Sequence, residues 1–137
     1  MKRSGIEGIS GLLLMVFMFF SFGVNAQEAS AVAGEGPINH VVVVWFNEPG
    51  DADAQKRFLA TTKSFAKLPG VIGHSAGSVL KSERKVADSS FDMAVVVTLK
   101  NKQALQDYLD HPVHKKALQE VLKPMMKKVV VYDYLVQ

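Results

Sequence analysis

The chain has 137 residues, a net charge of +3 and no cysteine. That length allows one ordinary domain. The missing cysteine excludes a disulfide framework, thiol catalysis, thiolate metal sites and a lipid-bearing N-terminal cysteine. With so small a basic excess and no Arg/Lys stripe interleaved with aromatics, nucleic acid is not an expected partner.

The chain opens on Met1-Lys2-Arg3, carries no charged residue from Gly8 to Val24, and is continuously apolar from Leu12 to Phe20. Val24-Asn25-Ala26 places small residues at the two positions an export peptidase reads. This is the order of a secretory signal peptide. Cleavage after Ala26 is expected, with export to the periplasm or the outside. The remainder has a net charge of +2 once Lys2, Arg3 and Glu7 are removed. It holds no second long apolar run, so no membrane association is expected after cleavage. Residues 27–37 are small and polar and read as a flexible leader; the domain is 38–137.

Ile38 to Phe46 contains four consecutive valines followed by Trp45 and Phe46, which predicts a strand apolar on both faces. Asn47 to Asp51 is turn chemistry. A helix follows from about Ala52 to Lys67, with Phe58, Leu59, Thr62, Phe65 and Ala66 on one stripe. Leu68-Pro69-Gly70 stops it. Val71 to Leu80 reads as a second strand, Lys81 to Ser90 as a polar hairpin loop, and Phe91 to Lys100 as a third strand. Asn101 caps a short helix on which Leu105, Tyr108 and Leu109 share a face. Pro112 suits the first turn of a new helix, with His114, Ala117, Leu118 and Val121 as its stripe. Pro124 ends or kinks that helix, and Val129 to Val136 is the last strand.

The order is β-α-β-β-α-β, the ferredoxin-like α+β arrangement, with the second helix split at Pro112. One face of such a sheet carries the helices. Here the other face is apolar too, with Val41, Val43 and Trp45 opposite Val42, Val44 and Phe46. A second copy across a two-fold axis is the simplest cover. A homodimer is expected, with an interface at or above about 1,600 Å² in total.

Four residues carry possible chemistry. His114 lies on the inward stripe, where a neutral imidazole takes a proton from a carbon acid or bonds across the helix break. Tyr108 faces inward with Leu105; its hydroxyl donates to a developing oxyanion or to a backbone carbonyl. His40 shares the face of Val42, Val44 and Phe46, as a pocket group or a core histidine. His111 precedes a proline, so it sits outside helical geometry and braces the break. His111 and His114 do not make a metal site, because no carboxylate motif completes the ligand set. No Gly-rich phosphate cradle and no nucleophile-elbow serine occurs, so no cofactor is expected. Lys123, Lys127 and Lys128 read as a solvated helix end.

Several segments together resemble a known family. They are Asn39-His40-Val41-Val42-Val43-Val44-Trp45-Phe46, Leu68-Pro69-Gly70-Val71, Phe91-Asp92-Met93-Ala94, Leu105 to His114 with its Tyr-x-x-His-Pro-x-His block, and Val131-Tyr132-Asp133-Tyr134. In this order and spacing they are similar to the stress-responsive A/B barrel (Dabb) family over residues 38–136. The resemblance implies a dimeric α+β barrel. It implies little about activity, since most bacterial members have no assigned reaction. A plant member closes a linear polyketide by aldol condensation with a His base beside a Tyr; those residues fall at His114 and Tyr108, and a further pocket His falls at His40. The pocket-lining residues of helix one depart from that enzyme. Three readings are open: a small-molecule enzyme of cyclase or isomerase type, a non-catalytic ligand-binding or stress-protective homodimer, and, by fold analogy alone, a haem- or quinol-type monooxygenase.

Overall fold

The computed structural model describes residues 36–137; the expected signal peptide and nearly all of the leader lie outside the described residues. Strand β1 (Ile38–Phe46) is followed by helix α1 (Ala52–Phe65), strands β2 (Val71–Ser78) and β3 (Met93–Leu99), and helices α2 (Lys102–Asp110) and α3 (Pro112–Ala117). A wide π turn (Leu118–Leu122) and a last helical turn (Lys123–Met125) lead into β4 (Met126–Leu135). The sheet order is β2-β3-β1-β4, and every pair is antiparallel. This is the expected ferredoxin-like α+β fold, with the second helix broken at Pro112.

Local chemistry sets the element ends. Asp51 caps α1 by accepting from the backbone N–H groups of Asp53 and Ala54 at 2.9 and 3.0 Å. Asn101 does the same for α2 through Ala104 N–H; each such cap is worth about 1 kcal/mol. Gly70 ends the α1–β2 turn at φ +83°, and a Cβ there would lie 2.7 Å from the Ala104 Cβ. The glycine is therefore required twice, by its left-handed backbone and by the close approach of α2. Asp92 holds the β1–α1 turn: one carboxylate oxygen accepts from Phe46 N–H at 2.8 Å and the other from Gly50 N–H at 2.7 Å.

On β1 the side chains of His40, Val42, Val44 and Phe46 face the helices, and β3 alternates the same way, with Met93, Val95, Val97 and Leu99 buried. They pack on Ala54, Phe58, Thr62 and Phe65 of α1. Leu59 and Ala66, expected on that stripe, are exposed. The buried line follows a four-residue step from Ala54 through Phe58 to Thr62, which leaves both one position off the core.

Several segment ends differ from the sequence reading, α1 among them, which stops at Phe65 rather than Lys67. β2 stops at Ser78, β3 begins at Met93, and β4 starts at Met126 rather than Val129. Met126 pairs with Phe46 and Lys128 with Trp45 across a register shift. The lysine stays in the strand because its ammonium lies 4.1 Å from the Trp45 ring centre.

The opposite sheet face carries Val41, Val43, Trp45, Val96, Val130, Tyr132 and Tyr134, none of them buried. No helix of the described residues is long and apolar enough to cross a membrane.

Candidate functional site

A cavity of about 230 Å³ lies between the helix-facing side of the sheet and the α1, α2 and α3 helices. Its walls are mainly Val42, Val44, Phe58, Phe65, Leu118, Leu122, Met126, Val129 and Val131, and its polar groups include His40, Tyr108 and His114. The structure thus brings all three expected site residues to one place. Val129 and Val131 are 48% and 45% exposed, so the cavity opens along β4.

The helix break positions two of the three. His111 ends α2 and caps α3, its Nδ1 accepting from Val113 N–H at 3.2 Å. Pro112 follows at the first turn, where its missing N–H costs nothing. The break therefore turns His114 back toward the end of α2. There its Nδ1–H donates to the Leu109 carbonyl at 3.3 Å, which leaves Nε2 as the lone pair. Its ring centre lies 4.5 Å from that of Tyr108 and 5.2 Å from that of Phe65. Burial holds the His114 pKa below its ordinary value of 6.5, and the neighbouring His40 and His111 lower it further, against the Leu109 bond that raises it. The ring is neutral at pH 7.

Tyr108 is 3% exposed, and burial pushes its phenol above the ordinary range. It stays protonated, a hydrogen-bond donor at any physiological pH. Its ring meets those of His40 and Phe65 edge-on, with centres 5.9 and 6.0 Å away.

His40 is buried, and its Nδ1 lies 2.6 Å from an Asp133 carboxylate oxygen. The carboxylate accepts, so Nδ1 carries the proton and Nε2 is free. Asp133 escaped the sequence reading as a site residue. The signal was present: it alternates with Val129 and Val131, so it falls on the cavity side of β4, and an inward carboxylate needs a partner. That partner is the residue directly opposite on β1.

Thr62, also on the wall, spends its hydroxyl on the Phe58 carbonyl at 2.9 Å. Among the described residues no group of three or more His, Cys, Asp or Glu is arranged to hold a metal ion. The arrangement offers two imidazole lone pairs and one phenol donor inside an apolar enclosure. That set suits moving a proton at a carbon beside a carbonyl.

The fold recurs among solved structures. A dimeric ferredoxin-like protein of unknown function from Thermobifida fusca is 24% identical with a TM-score of 0.62, covering 75% of this chain and 94% of that one. A Dabb family protein with a ferredoxin-like fold from Mesorhizobium loti is 23% identical at 0.61, covering 74% and 98%. A hydroxynitrile lyase from Passiflora edulis is 15% identical at 0.66, covering 75% and 95%. At these identities the likeness is one of fold. No curated protein matches the sequence. The family model of the Stress responsive A/B Barrel Domain matches residues 38–136, and the chain belongs to that family, Dabb.

Proposed function

We propose that the chain binds a small, largely apolar carbonyl compound in this cavity and moves a proton at the carbon beside the carbonyl. The observation that carries the reading is the neutral His114 ring packed 4.5 Å from the protonated Tyr108 ring in a cavity with few other free polar groups. The α-hydrogen and the carbonyl oxygen of a substrate are close together, so base and oxyanion donor must be neighbours. His114 is nearer to Tyr108 than His40 is, and its lone pair is available because burial keeps the ring uncharged.

In the step, the C–H bond breaks and the proton goes to His114 Nε2. The electron pair moves into the carbonyl to give an enolate, whose oxygen accepts from Tyr108. The apolar walls strengthen that hydrogen bond by excluding water. Return of the proton elsewhere gives isomerisation; attack of the enolate on a second carbonyl gives cyclisation. The His40–Asp133 pair also borders Tyr108, and the carboxylate holds the His40 ring with its Nε2 lone pair unspent. The Passiflora edulis neighbour of the same fold is a hydroxynitrile lyase, which supports reading this cavity as one for small-molecule chemistry.

The test is exchange of α-hydrogens of simple ketones for deuterium, measured by NMR. Catalysed exchange that disappears in His114→Gln and drops about a hundredfold in Tyr108→Phe supports the reading. Ketones that bind without exchanging overturn the enzymatic part. They would leave a non-catalytic ligand-binding or stress-protective protein, a reading favoured by the His114–Leu109 bond, which braces the helix break by itself.

We further propose that the chain is a homodimer joined through its bare apolar sheet face. Tyr132 and Tyr134 are 60% and 52% exposed there, and the neighbour from Thermobifida fusca is a dimeric protein. Export after cleavage at Ala26 completes the proposal; mass spectrometry of the protein from its native source tests it, with Gln27 as the expected first residue.

A further inference from the structure

The cavity has a second end. Lys123 lines it, and among the described residues it is the only Lys, Arg, Asp or Glu that does. No carboxylate lies within ion-pair distance of it among the described residues. The sequence reading made Lys123 part of a solvated helix end. It is exposed at that last helical turn, and it also lines the cavity. At 3.6 residues per turn, Lys123, nine positions after His114, would face roughly the opposite way from it.

The helix is not regular here. The Lys123 N–H donates to the Leu118 carbonyl, five residues back. The wide turn has a local cause: Pro124 has no N–H, and in a regular helix its ring would strike the carbonyl four residues earlier. Such a turn takes up one extra residue and rotates the residues after it. Lys123 therefore arrives on the wall that also holds His114, Leu118 and Leu122. At about 1.5 Å per residue the two lie about 13 Å apart along the helix. His114 and Tyr108 border one stretch of the cavity, the exposed Lys123 borders it further along the helix with no carboxylate in ion-pair distance, and the rest of the lining is mainly apolar.

We propose that the ligand of this cavity is a monoanionic amphiphile: an apolar body with its carbonyl end at Tyr108 and His114 and a carboxylate at the far end paired with Lys123. The assignment rests on the small-molecule reading above and adds the ligand's charge and length. Lys123 is solvent-exposed, so its pairing supplies selection more than affinity, a fewfold preference that weakens with salt.

The test is calorimetric titration of the full chain at pH 7.5 with octanoate, its uncharged counterpart octanamide, and octylammonium. The expected order is octanoate about fivefold tighter than octanamide, with octylammonium weakest. Lys123→Met abolishes the preference without changing octanamide affinity, Lys123→Arg retains it, and high salt erases it. Octanoate binding no better than octanamide, or a preference that survives in Lys123→Met, overturns the anion assignment and leaves the apolar cavity reading intact. Failure of all three probes to bind overturns both.

Discussion

His40 on β1 and Asp133 on β4 face each other across paired strands, imidazole to carboxylate, at 2.6 Å. The histidine is buried and the carboxylate is half-exposed. Asp133 therefore fixes which ring nitrogen of His40 carries the proton, and solvent at its outer side limits what the contact adds to stability. Asp133→Asn is expected to cost about 1 kcal/mol in chemical denaturation. In histidine-detected NMR it should also mix the two tautomers of His40. An unchanged tautomer would mean that Asp133 does not orient the ring.

Stability should depend on pH through histidines. Burial holds both His114 and His74 below their ordinary value of 6.5. As pH falls through 6.5 the unfolded chain takes up these protons before the native one does. Their effect is absent above about 6.5 and destabilises the protein as pH drops below it. The acids held low by hydrogen bonds, Asp88 to Ser90 and Asp110 to Lys115, stabilise above their ordinary 3.8 and lose that contribution only as the pH falls below it. Between pH 6.5 and 4.5 the slope of unfolding free energy is therefore expected to shrink in His74→Gln/His114→Gln.

Activity should follow the same ring. Proton abstraction needs neutral His114, so the rate is expected to fall on the acid side with a midpoint below 6.5. Tyr108 gives no alkaline limb up to pH 10, because its phenol is held above 10.0 by burial. A pH–rate profile under ligand saturation reads both limits.

Two glycines in the left-handed region should respond unequally to substitution. Gly50→Ala, at φ +77° with nothing within 4 Å of the new Cβ, costs about 1 kcal/mol by backbone strain. Gly70→Ala adds the contact with Ala104 and is expected to cost roughly 2–4 kcal/mol. Urea denaturation of the two variants side by side measures the difference.

The bare sheet face supplies a test of assembly. Val43→Asp and Tyr132→Glu place charges on the proposed interface without touching the helix-side core. Each is expected to shift the protein to a single subunit in sedimentation velocity at micromolar concentration. An unchanged sedimentation coefficient would move the interface elsewhere.

Much of this molecule was legible in its sequence because the valine runs are unambiguous and the punctuation is strong. Asp51, Asn101, Gly70 and Pro112 act where their chemistry says they should. Tyr108, His114 and His40 were legible as inward residues from periodicity alone. Their meeting was implied by the family resemblance alone, because it depends on how α2 turns at His111. Asp133 was hidden for a related reason: its partner is set by strand register, which pairs residues far apart in the chain. The early start of β4 was obscured by Lys127 and Lys128, which look like a helix end until Trp45 takes the Lys128 ammonium. The wide turn at Leu118–Leu122 leaves no residue pattern of its own; only the hydrogen bond five residues back reveals it.

Everything proposed for the cavity turns on His114 being a neutral base whose free nitrogen meets the ligand. Long-range proton–nitrogen correlation spectra of the histidine rings test it most directly, recorded through a pH titration with and without a bound ketone. The expected result is the Nδ1-protonated form of His114, a midpoint below 6.5, and a shift of the Nε2 resonance when the ketone binds. A midpoint at or above 6.5, together with an Nε2 signal indifferent to the ligand, would contradict it.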